Sequence, residues 1–370
     1  MDKFRKKTQD LLNYADIKIN GSRNFDIQVH NENFFKRVFA EGSLGFGEAY
    51  VEGWWDCENL DEFFHRILSA ELDRKIKPVK EIGTWVRAYL SNLQTPERAF
   101  NIGEHHYDIG DDLYEAMLDK LMIYSCAYWK NSRSLDKAQE NKLDLVCKKL
   151  GLQEGMRVLD IGCGWGGALK YAAENYGVKG VGVTVSRNQA ERAQKMLSGL
   201  PVEVRLEDYR KLSESFDRIW SIGMIEHVGM KNYRTFMQVA RRCLRPDGLF
   251  LLHTIGGNRS VFKSDAWINK YIFPNSMIPS IRQLSLSFEN LFVMEDWHNF
   301  GTDYDKTLMN WHKNVMNNKE KLSKNYSNRF FRMWRYYLLS CAGSFRARKN
   351  NLWQIVLSPQ GVPGGYQAVR

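Results

Sequence analysis

At 370 residues the chain is long enough for two domains of about 150 residues each, and its 44% of hydrophobic residues can build a sizeable core. A formal net charge of +10 favours an anionic partner (nucleic acid, anionic lipid or an acidic substrate) without choosing among them. The six cysteines form no C-x-x-C pair, which argues against a disulfide framework or zinc ribbon, and no apolar run approaches the ~18 residues of a membrane span.

In chain order, the opening MDKFRKKTQD is basic with no apolar stretch behind it, so no signal peptide is expected. Residues 1–80 read as a small α+β docking unit. A helix over about 3–14 leads through Ile17–Ile19 and an Asn20-Gly21 turn to a short strand, Asp26–Val29. A helix from Asn31 then puts Phe34, Phe35, Val38 and Phe39 on one face, and glycines 42, 45, 47 and 53 break the chain around Trp54-Trp55. Asn59 and Glu62 have the spacing of a capping box for a helix carrying Phe63, Phe64, Ile67 and Leu68. The basic stretch 81–100 reads as a linker, with 101–370 as a catalytic domain. Its first feature, His105-His106, is expected to hold no metal, because adjacent histidines diverge and no third ligand sits at a recognisable spacing.

From about 150 the rhythm becomes β/α. Strands fit Val158–Ile161, Gly180–Val185, Val202–Leu206, Arg218–Ile222 and Leu249–Thr254, with helices over about 166–176, 187–197 and 232–244. Arg245-Pro246-Asp247-Gly248 reads as a turn, and Phe292–Trp297 and Leu352–Leu357 as late strands. This order implies an α/β fold with a doubly wound, mainly parallel sheet.

Within it, RVLDIGCGWGG (Arg157–Gly167) is a buried strand carrying one acid, Asp160, that breaks into Gly162, Gly164, Gly166 and Gly167 around Trp165. Such a turn lets backbone N–H groups approach a ligand closely. Its G-x-G-x-G-G spacing departs from the dinucleotide fingerprint and resembles motif I of S-adenosylmethionine-dependent methyltransferases. At the end of the next strand many such enzymes carry an acid for the ribose; here Thr184 and Gln189 stand instead, with Ser186 placed as a helix N-cap. Asp208-Tyr209, after the third strand, is placed to meet the adenine. Tyr124-Ser125-Cys126-Ala127-Tyr128-Trp129 reads equally as a buried helix or strand and as a functional segment. Glu226 just after the fourth strand and His253 at the end of the fifth both fall beyond the carboxyl ends of strands, where doubly wound sheets bind ligands. Together they can handle a proton or hold a small polar species.

Along essentially its whole length the chain resembles the bacterial cyclopropane-fatty-acyl-phospholipid synthase family. The co-linear segments are GSLGFGEAYVEGWWDC, EHHYDIGDDLYEAML, YSCAYWK, RVLDIGCGWGG, GVTVSRNQ, GMIEHVG, LLHTIG, WINKYIFPN, EDWHNFGTDYDKTL and CAGSFRAR. The resemblance implies a class I methyltransferase fold with seven strands and a small N-terminal domain. It also implies methylene transfer from S-adenosylmethionine to the cis double bond of an unsaturated phospholipid acyl chain. Tyr124 and Ser125 join the cofactor residues on this ground. A bound bicarbonate is implied as the base, held by Cys126, Glu226, His253, Ile255 and Tyr304, with donors such as the Ile255 N–H offsetting repulsion from Glu226. Cys341 is tied to activity by resemblance, although methyl transfer to an alkene needs no covalent enzyme intermediate and a structural thiol fits as well. The resemblance also implies a homodimer working on the inner face of the cell membrane from the cytoplasm, with the positive charge drawn to anionic headgroups and no nucleic acid involved. The competing readings are an amine N-methyltransferase, a nucleic-acid binder suggested by charge alone, and a catalytically dead lipid-binding homologue.

Overall fold

The computed structural model describes residues 2–75 and 110–370, and its contacts divide them into two units. The first takes 2–75 together with 262–274 and 304–350; the second takes 110–261, 275–303 and 351–370. Expected features that fall between 76 and 109, the linker 81–100 and the His105-His106 pair, lie outside the described residues.

In the first unit the helix Asp2–Asn13 leads to a two-stranded ribbon, β1 (Gln28–Val29) paired antiparallel with β2 (Trp55–Asp56). Between them the helical stretch Asn33–Val51 is broken, as expected, at Gly42, whose φ of 60° and ψ of −135° are not helical, while Gly45 and Gly47, also expected to break it, stay inside. Packing is the reason for the second of these. A Cβ at Gly47 would stand 2.4 Å from the indole of Trp267. The helix Leu60–Ser69 forms as expected, but Asn59 makes no side-chain cap, so the capping box is absent.

That helix buries Phe63 and Phe64 within an aromatic cluster in which Phe46 lies 4.5 Å from Trp55 and 5.8 Å from Phe63. Burying each such ring contributes about 1.5–3 kcal/mol. The helix Asn328–Arg346 closes against it, and a Cβ at Gly343 would meet the Asp61 carbonyl at 2.6 Å. This contact explains why 304–350, read from the sequence as part of the catalytic region, groups with the N-terminal segment.

The second unit is built on seven strands: β3 (Arg157–Ile161), β4 (Lys179–Thr184), β5 (Val202–Leu206), β6 (Phe216–Ile222), β7 (Leu244–Gly257), β8 (Val293–Asn299) and β9 (Asn350–Ser358). They lie in the order β5-β4-β3-β6-β7-β9-β8. The first five pair in parallel, and β8 pairs antiparallel with β9 at the edge. Alternation along β3 sends Leu159 and Ile161 into one core with the helix Tyr233–Cys243, and Val158 into the other with the helix Gly167–Tyr176. The expected turn at 245–248 is taken up within β7 as an irregularity, since Phe216 pairs with Leu244 but Arg218 pairs with Leu249. Among the described residues no helix is long and apolar enough to cross a membrane.

Candidate active site

The order of the sheet reverses between β3 and β6, and this is where the glycine turn opens. Gly162, Gly164 and Gly166 all take positive φ (88°, 54° and 86°), which glycine adopts without a Cβ penalty. They are not equivalent. A Cβ at Gly162 would strike Met224 at 2.6 Å, and one at Gly167 would sit 2.0 Å from the Leu121 carbonyl. Around a Cβ at Gly164 nothing among the described residues lies within 4 Å, so its backbone faces space open among them. Trp165 is buried against Tyr114, whose ring also meets Tyr124 at 5.3 Å.

Asp160 is buried in the strand, and desolvation pushes its carboxyl up to about 7. Its Oδ1 has no hydrogen-bond partner among the described residues. The segment 124–129 is neither helix nor strand but an irregular buried stretch: Gln139 ties down its Ser125 carbonyl at 2.8 Å, and Lys142 donates to Ser125 Oγ at 3.0 Å. Thr184 Oγ accepts the Ser186 N–H, and its hydroxyl donates to Gln189 Oε1 at 2.9 Å. Ser186 caps the helix Arg187–Met196, as expected.

Two nominated residues are more occupied than the sequence shows. Asp208 is gripped by the Arg210 N–H at 2.9 Å and by its guanidinium at 2.5 Å. Tyr209 is core, packed edge-on against Phe236 at 5.4 Å.

Beyond β6 the chain makes a short turn, Ile225–His227, that buries Glu226. Its Oε1 accepts the Ile255 N–H at 2.7 Å, so that N–H holds the carboxyl. Burial pushes Glu226 up to about 7 against this bond, so near neutrality the carboxyl is divided between its protonated and ionised forms, and the protonated form does not repel an anion. Glu226 Oε2 has no partner among the described residues.

His253, 1% exposed, has its pKa driven well below 6.5 by burial and stays neutral. The Gln354 amide donates to its Nδ1 at 3.3 Å, which leaves the proton on Nε2, an atom with no partner among the described residues. Phe300 lies 6.0 Å from the imidazole and Tyr128 lies 5.1 Å from Phe300, giving this side an aromatic wall. Cys126 is fully buried as a thiol donating to the Ala127 carbonyl at 3.2 Å.

The structure therefore brings Glu226, Ile255, His253 and Cys126 into one unit. Tyr304 and Cys341 belong to the other, where Tyr304 stacks on Phe345 at 4.5 Å and burial pushes the Cys341 thiol up to about 12. Among the described residues no group of three His, Cys, Asp or Glu is arranged for a metal ion. Sequence reasoning missed Lys142 and Gln354. For the first a signal existed, because Gln139, Lys142, Val146 and Lys149 share one buried stripe of the helix Leu135–Lys149, where apolar residues are the rule.

The sheet order and the glycine turn define a class I S-adenosylmethionine-dependent methyltransferase. Solved structures agree: the cyclopropane synthase MmaA2 of Mycobacterium tuberculosis superposes with TM-score 0.66 at 32% identity, covering 72% of this chain and 99% of its own. The mycolic acid cyclopropane synthase CmaA1, solved with S-adenosylhomocysteine, superposes with TM-score 0.65 at 35% identity, covering 70% and 97%. The profile of the mycolic acid cyclopropane synthetase family matches residues 94–355, and the chain belongs to that family. It is 52% identical over all 370 residues to the cyclopropane-fatty-acyl-phospholipid synthase of Escherichia coli K12, spanning 97% of that protein.

Proposed function

We infer that this enzyme transfers a methylene from S-adenosylmethionine to the cis double bond of an unsaturated phospholipid acyl chain, leaving a cyclopropane, S-adenosylhomocysteine and a proton. The observation that carries the reading is the pair of buried, unpartnered polar atoms, Glu226 Oε2 and His253 Nε2.

An alkene is a weak nucleophile, so the sulfonium methyl has to be held against it in line. Asp160, Ser125 and Tyr124 hold the amino-acid end of the cofactor, the turn 162–167 lets the backbone approach it, Thr184 and Gln189 meet the ribose, and Asp208 borders the adenine. Tyr209 supports that end from the core.

Methylation leaves a carbocation that must be kept from water and must lose a proton. The faces of Phe300 and Tyr128 supply shielding and cation–π stabilisation. A small oxyanion suits the donors here, because Glu226 in its protonated form and the Nε2–H of neutral His253 can both donate, and neither atom has a partner among the described residues. Cys126 and Ile255 frame them. Bicarbonate bound there would supply a base of moderate strength. We assign Cys341 a structural role, since a thiol raised to about 12 is not a thiolate near neutrality.

The net charge of +10 supports work at an anionic bilayer surface, on the cytoplasmic side, with each well-placed cation contributing on the order of 1 kcal/mol. A homodimer fits too, because β8 ends the sheet with Val293 and Met294 exposed, an edge that proteins usually cover.

The test is mass spectrometry of fatty acids after incubating the protein with S-adenosylmethionine and vesicles of cis-monounsaturated phospholipid. A product one methylene heavier, absent with Glu226→Ala, is the expected result. No lipid product but methylation of an added amine would replace this reading with an N-methyltransferase.

A further inference from the structure

Lys142 lies in the middle of the helix Leu135–Lys149 with 0% exposure. Its one hydrogen bond among the described residues goes to Ser125 Oγ at 3.0 Å, and no carboxylate of those residues comes within 4 Å to form an ion pair. Burying an ammonium without a close counter-charge is expensive, and burial pulls its pKa down while Asp119 and Asp160 hold it up. Asp119 is already committed, accepting the Leu121 and Ile123 N–H groups at 2.9 and 3.0 Å. The cation is thus incompletely answered by its own chain.

Its effect on Ser125 is definite. A hydroxyl has one proton to give and two lone pairs. With Lys142 donating to the oxygen, the Ser125 proton is directed elsewhere, and no acceptor for it exists among the described residues. Ser125 stands beside Gly223, where a Cβ would come within 3.8 Å of its own, and Gly223 directly follows the carboxyl end of β6.

We propose that Lys142 is a positioning residue for the cofactor's carboxylate: it turns the Ser125 hydroxyl proton toward that group and places a buried positive charge behind it. This rests on the reading of Ser125 as a cofactor residue, and it gives the unanswered ammonium its counter-charge in the bound state.

The test compares two ligands by calorimetry on the full-length protein: S-adenosylhomocysteine, which carries the carboxylate, and 5′-methylthioadenosine, which lacks the amino-acid end. Lys142→Met is expected to weaken the first about 10- to 100-fold, the size of a lost hydrogen bond to a charged group, and to leave the second unchanged. Ser125→Ala, which keeps the buried cation, should show the same selectivity, and the double variant should lose no more than the worse single.

If the unaltered protein binds both ligands equally, the reading of Ser125 fails. If Ser125→Ala weakens S-adenosylhomocysteine alone while a folded Lys142→Met weakens neither ligand, the role of Lys142 fails alone. Parallel loss of both ligands in Lys142→Met would mean a merely structural lysine. Should Lys142→Met not fold, Lys142→Gln decides: retaining an N–H donor without the charge, it should show a smaller, still selective loss, and equal weakening of both ligands overturns the proposal.

Discussion

Glu226→Gln separates what Glu226 does for chemistry from what it costs the fold. The amide keeps an oxygen for the Ile255 N–H and nearly the same shape, but it cannot ionise. In the folded protein burial raises this carboxyl from 4.5 to about 7. At 1.36 kcal/mol per pH unit, ionised Glu226 therefore costs the fold about 3 kcal/mol. The folded state holds the proton more tightly than the unfolded chain, so stability falls as pH rises through the window between 4.5 and about 7. The amide variant escapes this loss. Relative to the parent it should gain about 2–3 kcal/mol between pH 5 and pH 8, or about 5–10 °C at 2–4 °C per kcal/mol. Other buried carboxyls that titrate nearby, such as Asp160, are common to both proteins and cancel in the difference. The measurement is thermal melting of both proteins across pH 5–8.5, run beside the lipid assay. A melting difference that does not change with pH would refute the claim that this carboxyl is buried uncharged, and with it the anion cradle.

Gly164→Ala should cost about 1 kcal/mol of stability, since its φ of 54° strains an L residue; its methyl projects into open space, so calorimetry should show S-adenosylhomocysteine affinity falling by at least tenfold. Gly167→Ala should do the reverse, destabilising by about 3 kcal/mol because its Cβ meets the Leu121 carbonyl, which denaturant melts would report. Gln354→Leu releases His253 Nδ1 and is expected to lower kcat by up to about tenfold, the worth of a neutral hydrogen bond, with cofactor affinity unmoved. Cys341→Ala should lose about 1 kcal/mol and keep its rate within a few-fold; an inactive variant with an intact melting temperature would instead make the thiol functional.

The β/α half was readable because each strand is a short apolar run bounded by glycine or a polar turn, and β5 falls on Val202–Leu206 as read. The glycine turn was readable for a related reason, since it follows a strand end, and so was the placement of Glu226 just beyond β6 and of His253 within β7. Gly45 and Gly47 misled, because a glycine that serves close packing has the same local signature as one that breaks a helix. The hold of Arg210 on Asp208 could not be read either, because it involves a side chain two residues on that could as well point to solvent. Gln354 was invisible, being 101 residues from its histidine and one buried polar residue in a strand whose neighbours are apolar.

The composition of the first unit has a consequence for how the chain is made. The face of Leu60–Ser69 that carries Phe64 is completed by Gly343 and its neighbours, so the N-terminal residues leave the ribosome long before their packing partner exists. At about 5–20 residues per second, some 275 further residues take on the order of 15–55 s. For that interval Phe63, Phe64 and Trp55 have only their own short segment to hide in. A chaperone that shields nascent aromatic surface should therefore engage this protein early and release it only near the end of translation.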